Sequence, residues 1–304
     1  MRSLINDGYP FRHDQCLSLG LPGHVLRRYL ACHRVRKVFV GAYVDAAIPD
    51  SRWLRVNSVR LVTPPHAVVA DCFASWLLGV DAFRPSERHS LRPTLIVPHG
   101  ASRVRLPDVR CRQAILDPRD IVEMEDILVT APLRTTSDLL RRLWRPYALA
   151  AGDGMARAVL VDSPQIVDYV DELRGFRGGP QARELAPLID PKAESPGESW
   201  QRMRIIDAGL PRPETQIHVV DEFGRDRYFD MGYREQLVAS EYDGREFHTA
   251  EEDTTHDRDR RSYFERRYGW RFSIGRRESI FGDDTTFETE LGSMLGIEPR
   301  PRRW

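Results

Sequence analysis

The last third of the chain has the pattern that most constrains its fold. A helix that begins at Ser195-Pro196-Gly197-Glu198 and ends at Gly209 is followed by three strand-sized segments, a strongly charged helix and a last strand. The strands are expected at Gln216–Val220, Arg227–Tyr233, Gln236–Tyr242 and Trp270–Ile274, and the charged helix at His256–Tyr268. The predicted order of elements is therefore αβββαβ.

Acidic residues lie on the predicted strands and helix that the αβββαβ order places next to one another. Asp230 lies in the second strand and Glu241 at the end of the third, so a tight hairpin would let both carboxylates reach one ion. Glu198 on the first helix could complete the cluster. Mg²⁺ (or Mn²⁺) prefers such oxygen ligands, and it would polarise a phosphodiester and activate a water molecule. The sequence thus predicts a metal site formed by Asp230 and Glu241.

Two of these acids have a structural alternative. Ser195 and Glu198 are spaced as a capping box, in which the glutamate binds backbone N–H groups at the helix start. A buried Asp230 could pair with an arginine such as Arg227 or Arg245 instead of a metal ion. Both interpretations remain open at the level of the sequence.

The segment resembles a Vsr-like branch of the PD-(D/E)XK nucleases. The residues that carry the resemblance are Ser195-Pro196-x-Glu198, Ala208-Gly209-Leu210-Pro211-x-Pro213, Phe229-Asp230, Glu241-Tyr242-Asp243-Gly244-Arg245-x-x-His248, Arg258-x-x-Arg261 and Gly269-Trp270. Vsr proteins are mismatch-directed DNA endonucleases of very short patch repair. The resemblance implies a restriction-endonuclease-like domain at residues 191–304, with a metal-binding aspartate at Asp230, a catalytic acid at Glu241 and an active-site histidine at His248.

One position departs from the superfamily pattern. Asp243 stands where the pattern has a lysine, and no lysine follows Lys192. That lysine stabilises charge that develops on the phosphate. His248 could act as general base with Arg245 as the cation. Alternatively, Asp243 is a further metal ligand, or the site is inactive.

The same residues also have ordinary structural explanations. Asp243 and Gly244 could form a turn, and His248 could be a surface histidine. Arg258 and Arg261 share one helix face and are candidates, with Arg245, for contacts to DNA phosphates. Their acidic neighbours also allow simple ion pairs in solvent.

Residues 1–62 predict a winged helix-turn-helix. The first 60 residues carry ten arginines and lysines against four aspartates, a net charge of +6, although the 45 basic and 45 acidic residues of the whole chain cancel. Helix-sized segments at Arg12–Leu19 and Pro22–His33 precede a β-hairpin at Val35–Val40 and Ala42–Val44. Such a second helix enters the major groove of DNA while the hairpin contacts phosphates. The predicted DNA-binding residues are Arg27, Arg28, Arg34, Arg36 and Lys37.

This N-terminal stretch resembles the first domain of type IV toxin–antitoxin antitoxins, the AbiEi-like regulators. The residues that carry the resemblance are Gln15–Gly20, Leu21, Val25–Leu30, Arg34–Phe39 and Gly41-Ala42-Tyr43-Val44. The resemblance implies a DNA-binding protein with a toxin as a partner. A solvated basic helical hairpin that contacts other proteins is the alternative.

Residues 63–190 predict a mixed α/β middle domain. Leu133–Leu140 is similar to the middle domain of the same antitoxins, and Asp138 within it is expected to lie in the first turn of a helix as a partner of the helix dipole or of the helix cap. The elements expected here are a helix at Pro65–Gly79, strands at Thr94–Pro98 and Val109–Leu116, and helices at Thr135–Leu143 and Leu149–Leu160. The expected fold class is therefore a multidomain α+β or α/β chain.

Composition excludes several other classes of protein. The four cysteines are scattered without a CxxC pair, which argues against a zinc ribbon and a disulfide scaffold. The most apolar stretch, Val68–Val80, is interrupted by Asp71 and is too short to span a bilayer. We therefore expect a cytoplasmic protein without a membrane partner.

Two functions from different classes fit this sequence. The first is a DNA-binding protein with a metal-dependent endonuclease domain that hydrolyses phosphodiester bonds. The second is a non-catalytic, antitoxin-type transcriptional regulator whose nuclease fold is degenerate. An RNA-directed nuclease is a third possibility, although a winged helix favours DNA.

Overall fold

A computed structural model describes residues 5–88, 90–173, 175–244 and 251–300, and for residues 251–257 it describes the backbone alone. The chain divides into two compact units, Met1–Arg141 with Leu160–Gly179 and Arg142–Val159 with Pro180–Trp304. Three β-sheets and eleven α-helices lie in the described residues, which confirms the expected multidomain chain of mixed α and β structure. Within the same residues, no helix is both long and apolar enough to cross a bilayer.

The first unit begins with a small three-stranded sheet. Helix α1 (Gly23–Ala31) precedes the predicted hairpin of strands β2 (Val35–Phe39) and β3 (Ala42–Asp45), and strand β1 (Phe11–Arg12) pairs with β3. The helix expected at residues 12–19 is wrong, because only a short 3-10 turn follows β1. Phe11 is fully buried, and the side chain of Gln15 accepts the Arg12 N–H at 2.8 Å. Burial and a local side-chain hydrogen bond therefore outweigh helix formation here.

The turn of this hairpin packs against the rest of the unit. The backbone N–H of Val40 donates to the carbonyl oxygen of Leu91 at 2.9 Å. Gly41 has φ +88°, and a Cβ added there would lie 2.4 Å from the carboxylate of Asp108. Only glycine fits such a close approach in the left-handed region. The hairpin tip, which was expected to contact DNA phosphates as a wing, is therefore covered by residues of its own unit.

A five-stranded mixed sheet forms the larger part of the first unit. Its strands are β4 (Val68–Val69), β5 (Thr94–Val97), β6 (Arg110–Gln113), β7 (Ile121–Met124) and β8 (Ile127–Thr130), in the order β6-β5-β4-β8-β7. Helices α2 (Arg52–Arg60) and α3 (Asp71–Leu77) pack on it. The core joins this sheet to the hairpin, since it contains Phe39, Val59, Phe73, Leu95 and Val129.

Two features of this sheet differ from the sequence prediction. The single helix expected at residues 65–79 is a strand followed by a helix, because Val68 and Val69 lie buried between two neighbouring strands. A short apolar run of this kind does not by itself distinguish strand from helix. The β7–β8 hairpin was not expected, because its turn uses Glu125 and Asp126 at positive φ instead of the usual glycine or asparagine.

A network of buried charges lies in helix α4 (Pro132–Arg142). Asp138 was expected near the helix start, yet it lies in the middle of α4 and is completely buried. Its carboxylate accepts hydrogen bonds from Arg134 and Arg112, at 3.1 Å each, and from Arg141. Arg134 also donates to Asp120 at 2.9 Å. Asp138 is thus the common counter-charge of three arginines. Helix α6 (Ser163–Glu172) completes the unit.

The second unit contains a four-stranded sheet in the predicted order of elements. Its elements are α8 (Pro196–Asp207), β9 (Glu214–Val220), β10 (Asp226–Tyr233), β11 (Val238–Asp243), α9 (Glu251–Tyr268) and β12 (Arg271–Arg276). The strands lie in the order β12-β11-β10-β9, with β11 and β12 parallel and the other pairs antiparallel. One cluster joins the sheet to Ile205 of α8, and another joins it to Phe264 of α9. The αβββαβ order is therefore confirmed.

The described part of the second unit contains four further helices. They are α5 (Arg145–Arg157), α7 (Gly179–Leu185), α10 (Arg277–Phe281) and α11 (Thr286–Leu295). Helix α5 packs on α8, where Arg202 and Asp153 form a fully buried ion pair with an N–O distance of 2.6 Å. The functional division at residues 62 and 190 stays a prediction.

Candidate functional site

The basic surface comprises four exposed cations on α1, on β2 and between them: Arg27, Arg28, Arg34 and Lys37. Leu26 anchors α1 in a small core, which turns the arginines that follow it toward solvent. The guanidinium carbons of Arg28 and Arg34 lie 5.7 and 4.8 Å from the ring centre of Tyr29. Among the described residues, no carboxylate forms an ion pair with any of the four cations. Their charge is therefore available to an external anion.

The fifth candidate on this segment has a structural contact. Arg36 is half-buried, and its guanidinium donates to the carbonyl oxygen of Ile48 at 2.9 Å. The neighbouring helix α2 differs from the basic surface as well. Its Arg55 and Arg60 pair with Asp50 at 2.6 Å and Asp126 at 3.5 Å. Among the described residues, α1 and β2 thus carry exposed cations without a carboxylate partner, whereas Arg55 and Arg60 of α2 are paired with acids.

A second basic segment was missed by the sequence analysis. In the loop between β5 and β6, the exposed Arg103 and Arg105 alternate with Val104 and Leu106, which pack on the core. Arg110 on the edge strand β6 is exposed as well. The signal that could have revealed this segment is the alternation of arginine with apolar residues, which is typical of an extended chain with one buried side.

The acids of the second unit meet where β10 and β11 separate. Met231 and Ser240 are the last paired residues of this ladder, and Asp230 and Glu241 are the next residues on the two strands. Beyond that pair the Asp230 carboxylate, instead of a backbone carbonyl, accepts the N–H of Tyr242 at 2.8 Å. On the other side of β10, Gln216 of β9 has φ +50° and interrupts regular pairing. The irregular backbone thus brings the two predicted acids together.

Glu198 reaches this cluster from α8. Ser195 caps the helix by accepting the N–H of Glu198 at 3.2 Å, as the capping alternative predicts. The carboxylate of Glu198 then accepts the N–H of Glu194 at 2.9 Å and the side-chain amide of Gln216 at 3.4 Å. Glu198 therefore acts in the cap of α8 while it also lies beside the other acids.

Burial and mutual repulsion raise the pKa values of two carboxyl groups. Burial is the main cause of the rise in the pKa of Asp230 to about 6, and the charge of Glu241 adds to it. The Tyr242 N–H and the Arg260 guanidinium oppose this rise. Burial likewise raises the pKa of Glu198, and the charge of Asp230 adds to that effect. The three acids predicted from the sequence therefore interact electrostatically.

Two arginines of α9 form ion pairs with Glu241. Arg260 donates to both of its carboxylate oxygens, at 2.8 and 3.0 Å, and Arg261 approaches one of them at 3.4 Å. Arg261 is thus an ion-pair partner of an acid, which is the alternative to a DNA contact. Arg258 is exposed, and Asp243 lies 3.7 Å from Arg276. Arg227, considered as a partner of Asp230, pairs with Asp221 at 3.6 Å instead.

The fit of this cluster to a divalent cation is poor. In the described part of the chain, no group of three or more histidines, cysteines, aspartates or glutamates could hold a metal ion. Both oxygens of Glu241 already accept from arginine, and one oxygen of Asp230 accepts a backbone N–H. His248 and Arg245 lie outside the described residues. The predicted Mg²⁺ or Mn²⁺ site and the catalytic roles stay predictions.

The middle of the chain is similar to a known protein family. Residues 68–188 match the family described as the AbiEi antitoxin C-terminal domain, which confirms the antitoxin-like interpretation of this segment. The chain is also 32% identical over 231 residues to the uncharacterized protein MT2308 of Mycobacterium tuberculosis strain CDC 1551, and the match covers 74% of this chain and 79% of that protein. The uncharacterized protein Rv2248 of strain H37Rv matches with the same identity and coverage.

Proposed function

The chain belongs to the family of the Mycobacterium tuberculosis proteins MT2308 and Rv2248, and we propose on that premise that it is a DNA-binding regulator built around an AbiEi-type antitoxin domain. In this proposal, helix α1 and strand β2 contact DNA, and the chain regulates a gene whose product is a toxin. The second unit has a structural role and performs no hydrolysis.

The basic surface is the observation that carries this proposal. Arg27, Arg28, Arg34 and Lys37 are exposed and have no carboxylate partner among the described residues, whereas arginines of the adjacent α2 are paired with acids. Cations that replace counterions on the phosphates supply most of the affinity of a protein for DNA. Arginines on an exposed helix can also reach base edges in the major groove.

The antitoxin match favours regulation over hydrolysis. It covers residues 68–188, which follow the basic surface in the sequence, and it includes the buried network around Asp138. Glu241 and Asp230 of the second unit, in contrast, accept hydrogen bonds from an arginine and from a backbone N–H. A regulator requires no metal ion at those acids, so this function agrees with the described contacts of both units.

A binding experiment with two duplexes tests the proposal. Fluorescence anisotropy compares the full chain on a labelled duplex from upstream of its own gene with a scrambled duplex of equal length. We expect tighter binding to the upstream duplex, and Arg27→Ala/Arg28→Ala should weaken that binding by about tenfold or more. Arg52→Ala/Arg60→Ala removes the same charge from cations paired with acids and is the matched control. Equal binding of the wild type to both duplexes would contradict a sequence-specific regulator.

A further inference from the structure

The position of Arg260 follows from how α9 packs on the sheet. Phe264 is buried and contacts Phe229 of β10, with ring centres 5.1 Å apart. Arg260 lies one turn before Phe264, so both side chains lie on the same face of the helix. The contact that anchors α9 therefore also directs Arg260 toward the end of β11, where Glu241 lies.

The carboxylate of Glu241 requires a cation. Its side chain is only 8% exposed, whereas those of Arg260 and Arg261 are 28% and 21% exposed. A buried carboxylate without a partner is strongly unfavourable, and the charge of the neighbouring Asp230 adds repulsion. Arg260 meets this need with a two-point contact to both oxygens, at 2.8 and 3.0 Å, a geometry that a planar guanidinium favours.

The nuclease pattern has a lysine at a position where this chain has none, and Arg260 supplies a positive charge to the same acids. Asp243 occupies the position of the missing lysine, and no lysine follows Lys192. The positive charge near these acids comes instead from Arg260 on helix α9, which follows β11 in the sequence. A guanidinium remains protonated at every physiological pH.

We propose that Arg260 is a permanent, built-in cation that neutralises the carboxylates of this site in place of a divalent metal ion. Arg260 binds both oxygens of Glu241, and its charge also acts on Asp230. A metal ion at Glu241 would compete with the guanidinium for both oxygens and would be repelled by its positive charge. The site therefore holds strands β10 and β11 and helix α9 together without metal. This inference concerns the second unit and does not depend on whether the first unit binds DNA.

Removal of the arginine should create affinity for metal ions. Isothermal titration of the full chain with Mn²⁺ should show no saturable binding to the wild type. In Arg260→Met, which keeps the aliphatic bulk and loses the charge, saturable Mn²⁺ binding should appear, with an affinity about tenfold or more above the upper limit set by the wild type. Thermal unfolding gives a second readout, since Mn²⁺ should raise the Tm of the variant and leave that of the wild type unchanged.

Two further variants make this test specific. Arg266→Met removes an exposed arginine of the same helix and should behave like the wild type. Arg260→Met/Glu241→Gln should lose the gained affinity. If Arg260→Met does not fold in EDTA, recovery of its fold by Mn²⁺ but not by K⁺ would support the proposal, and failure with both ions would overturn it. Saturable Mn²⁺ binding to the wild type that Asp230→Asn abolishes would also overturn it, as would a folded Arg260→Met without affinity for Mn²⁺.

Discussion

Replacement of Asp138 by asparagine should destabilise the first unit strongly. Asp138→Asn keeps the shape of the side chain and removes the charge shared by Arg112, Arg134 and Arg141. A hydrogen bond to a charged group contributes about 1.5–3 kcal/mol, and loss of one partner of a buried ion pair costs about 3–5 kcal/mol. Asp71 and Asp120 still neutralise part of the positive charge, since each pairs with one of these arginines. We therefore expect the free energy of unfolding to fall by about 3–5 kcal/mol instead of by the sum of three contacts.

Urea unfolding of the full chain measures this effect. Because the chain has two units that can unfold separately, far-ultraviolet circular dichroism and tryptophan fluorescence are followed together. Trp53 and Trp76 are the tryptophans of the first unit. Asp126→Asn is the matched control, because its side chain is 89% exposed and pairs with Arg60 at 3.5 Å. That control should change the free energy of unfolding by less than about 1 kcal/mol. A loss of less than about 1 kcal/mol for Asp138→Asn as well would refute the argument that three arginines depend on this buried carboxylate.

Two other substitutions test the burial of the Asp230 carboxyl group and the close packing of the turn at Gly41. The pKa of Asp230 is raised from 3.8 to about 6, so the folded chain binds this proton more tightly than the unfolded chain and the free energy of unfolding falls as pH rises between these values. Asp230→Asn should therefore stabilise the chain by about 1–3 kcal/mol at pH 7.5 and by little near pH 4, as measured by urea unfolding at both pH values; the same gain at both would contradict the assignment. Gly41→Ala should destabilise the first unit by about 1–3 kcal/mol, because its φ is +88° and an added Cβ meets Asp108. Gly20→Ala has a similar φ without a neighbour, so an equal loss in both variants would show that the contact with Asp108 contributes nothing.

The order of elements in the second unit could be predicted from the sequence because its signals are local. Ser195 caps the start of α8 and Gly209 follows its end, while runs of buried residues mark β10 and β11. The contact between Arg260 and Glu241 could not be predicted in this way, since it depends on how Phe264 sets the rotation of α9 on the sheet. The acids could be predicted from the sequence, whereas the cation that binds one of them could not.

In the first unit, several features depend on tertiary contacts that leave no local signal in the sequence. The β2–β3 hairpin was predicted correctly, yet the burial of its turn by Leu91 and Asp108 is a tertiary contact without a local signal. The same holds for Asp138, whose three arginine partners come from two different elements. Val68 and Val69 were assigned to a helix because a short apolar run fits either structure.

The salt dependence of DNA binding tests the central claim most directly. The affinity of the full chain for its upstream duplex is measured in EDTA at several salt concentrations, with the wild type and with Arg27→Ala/Arg28→Ala/Arg34→Ala/Lys37→Ala. Each phosphate contact contributes about 0.9 to the slope of the logarithm of affinity against the logarithm of salt concentration. We expect strong binding without divalent ions and a slope that is smaller by about 2–4 in the variant. An unchanged slope, or binding that requires Mg²⁺, would contradict the assignment of α1 and β2 as the DNA contact.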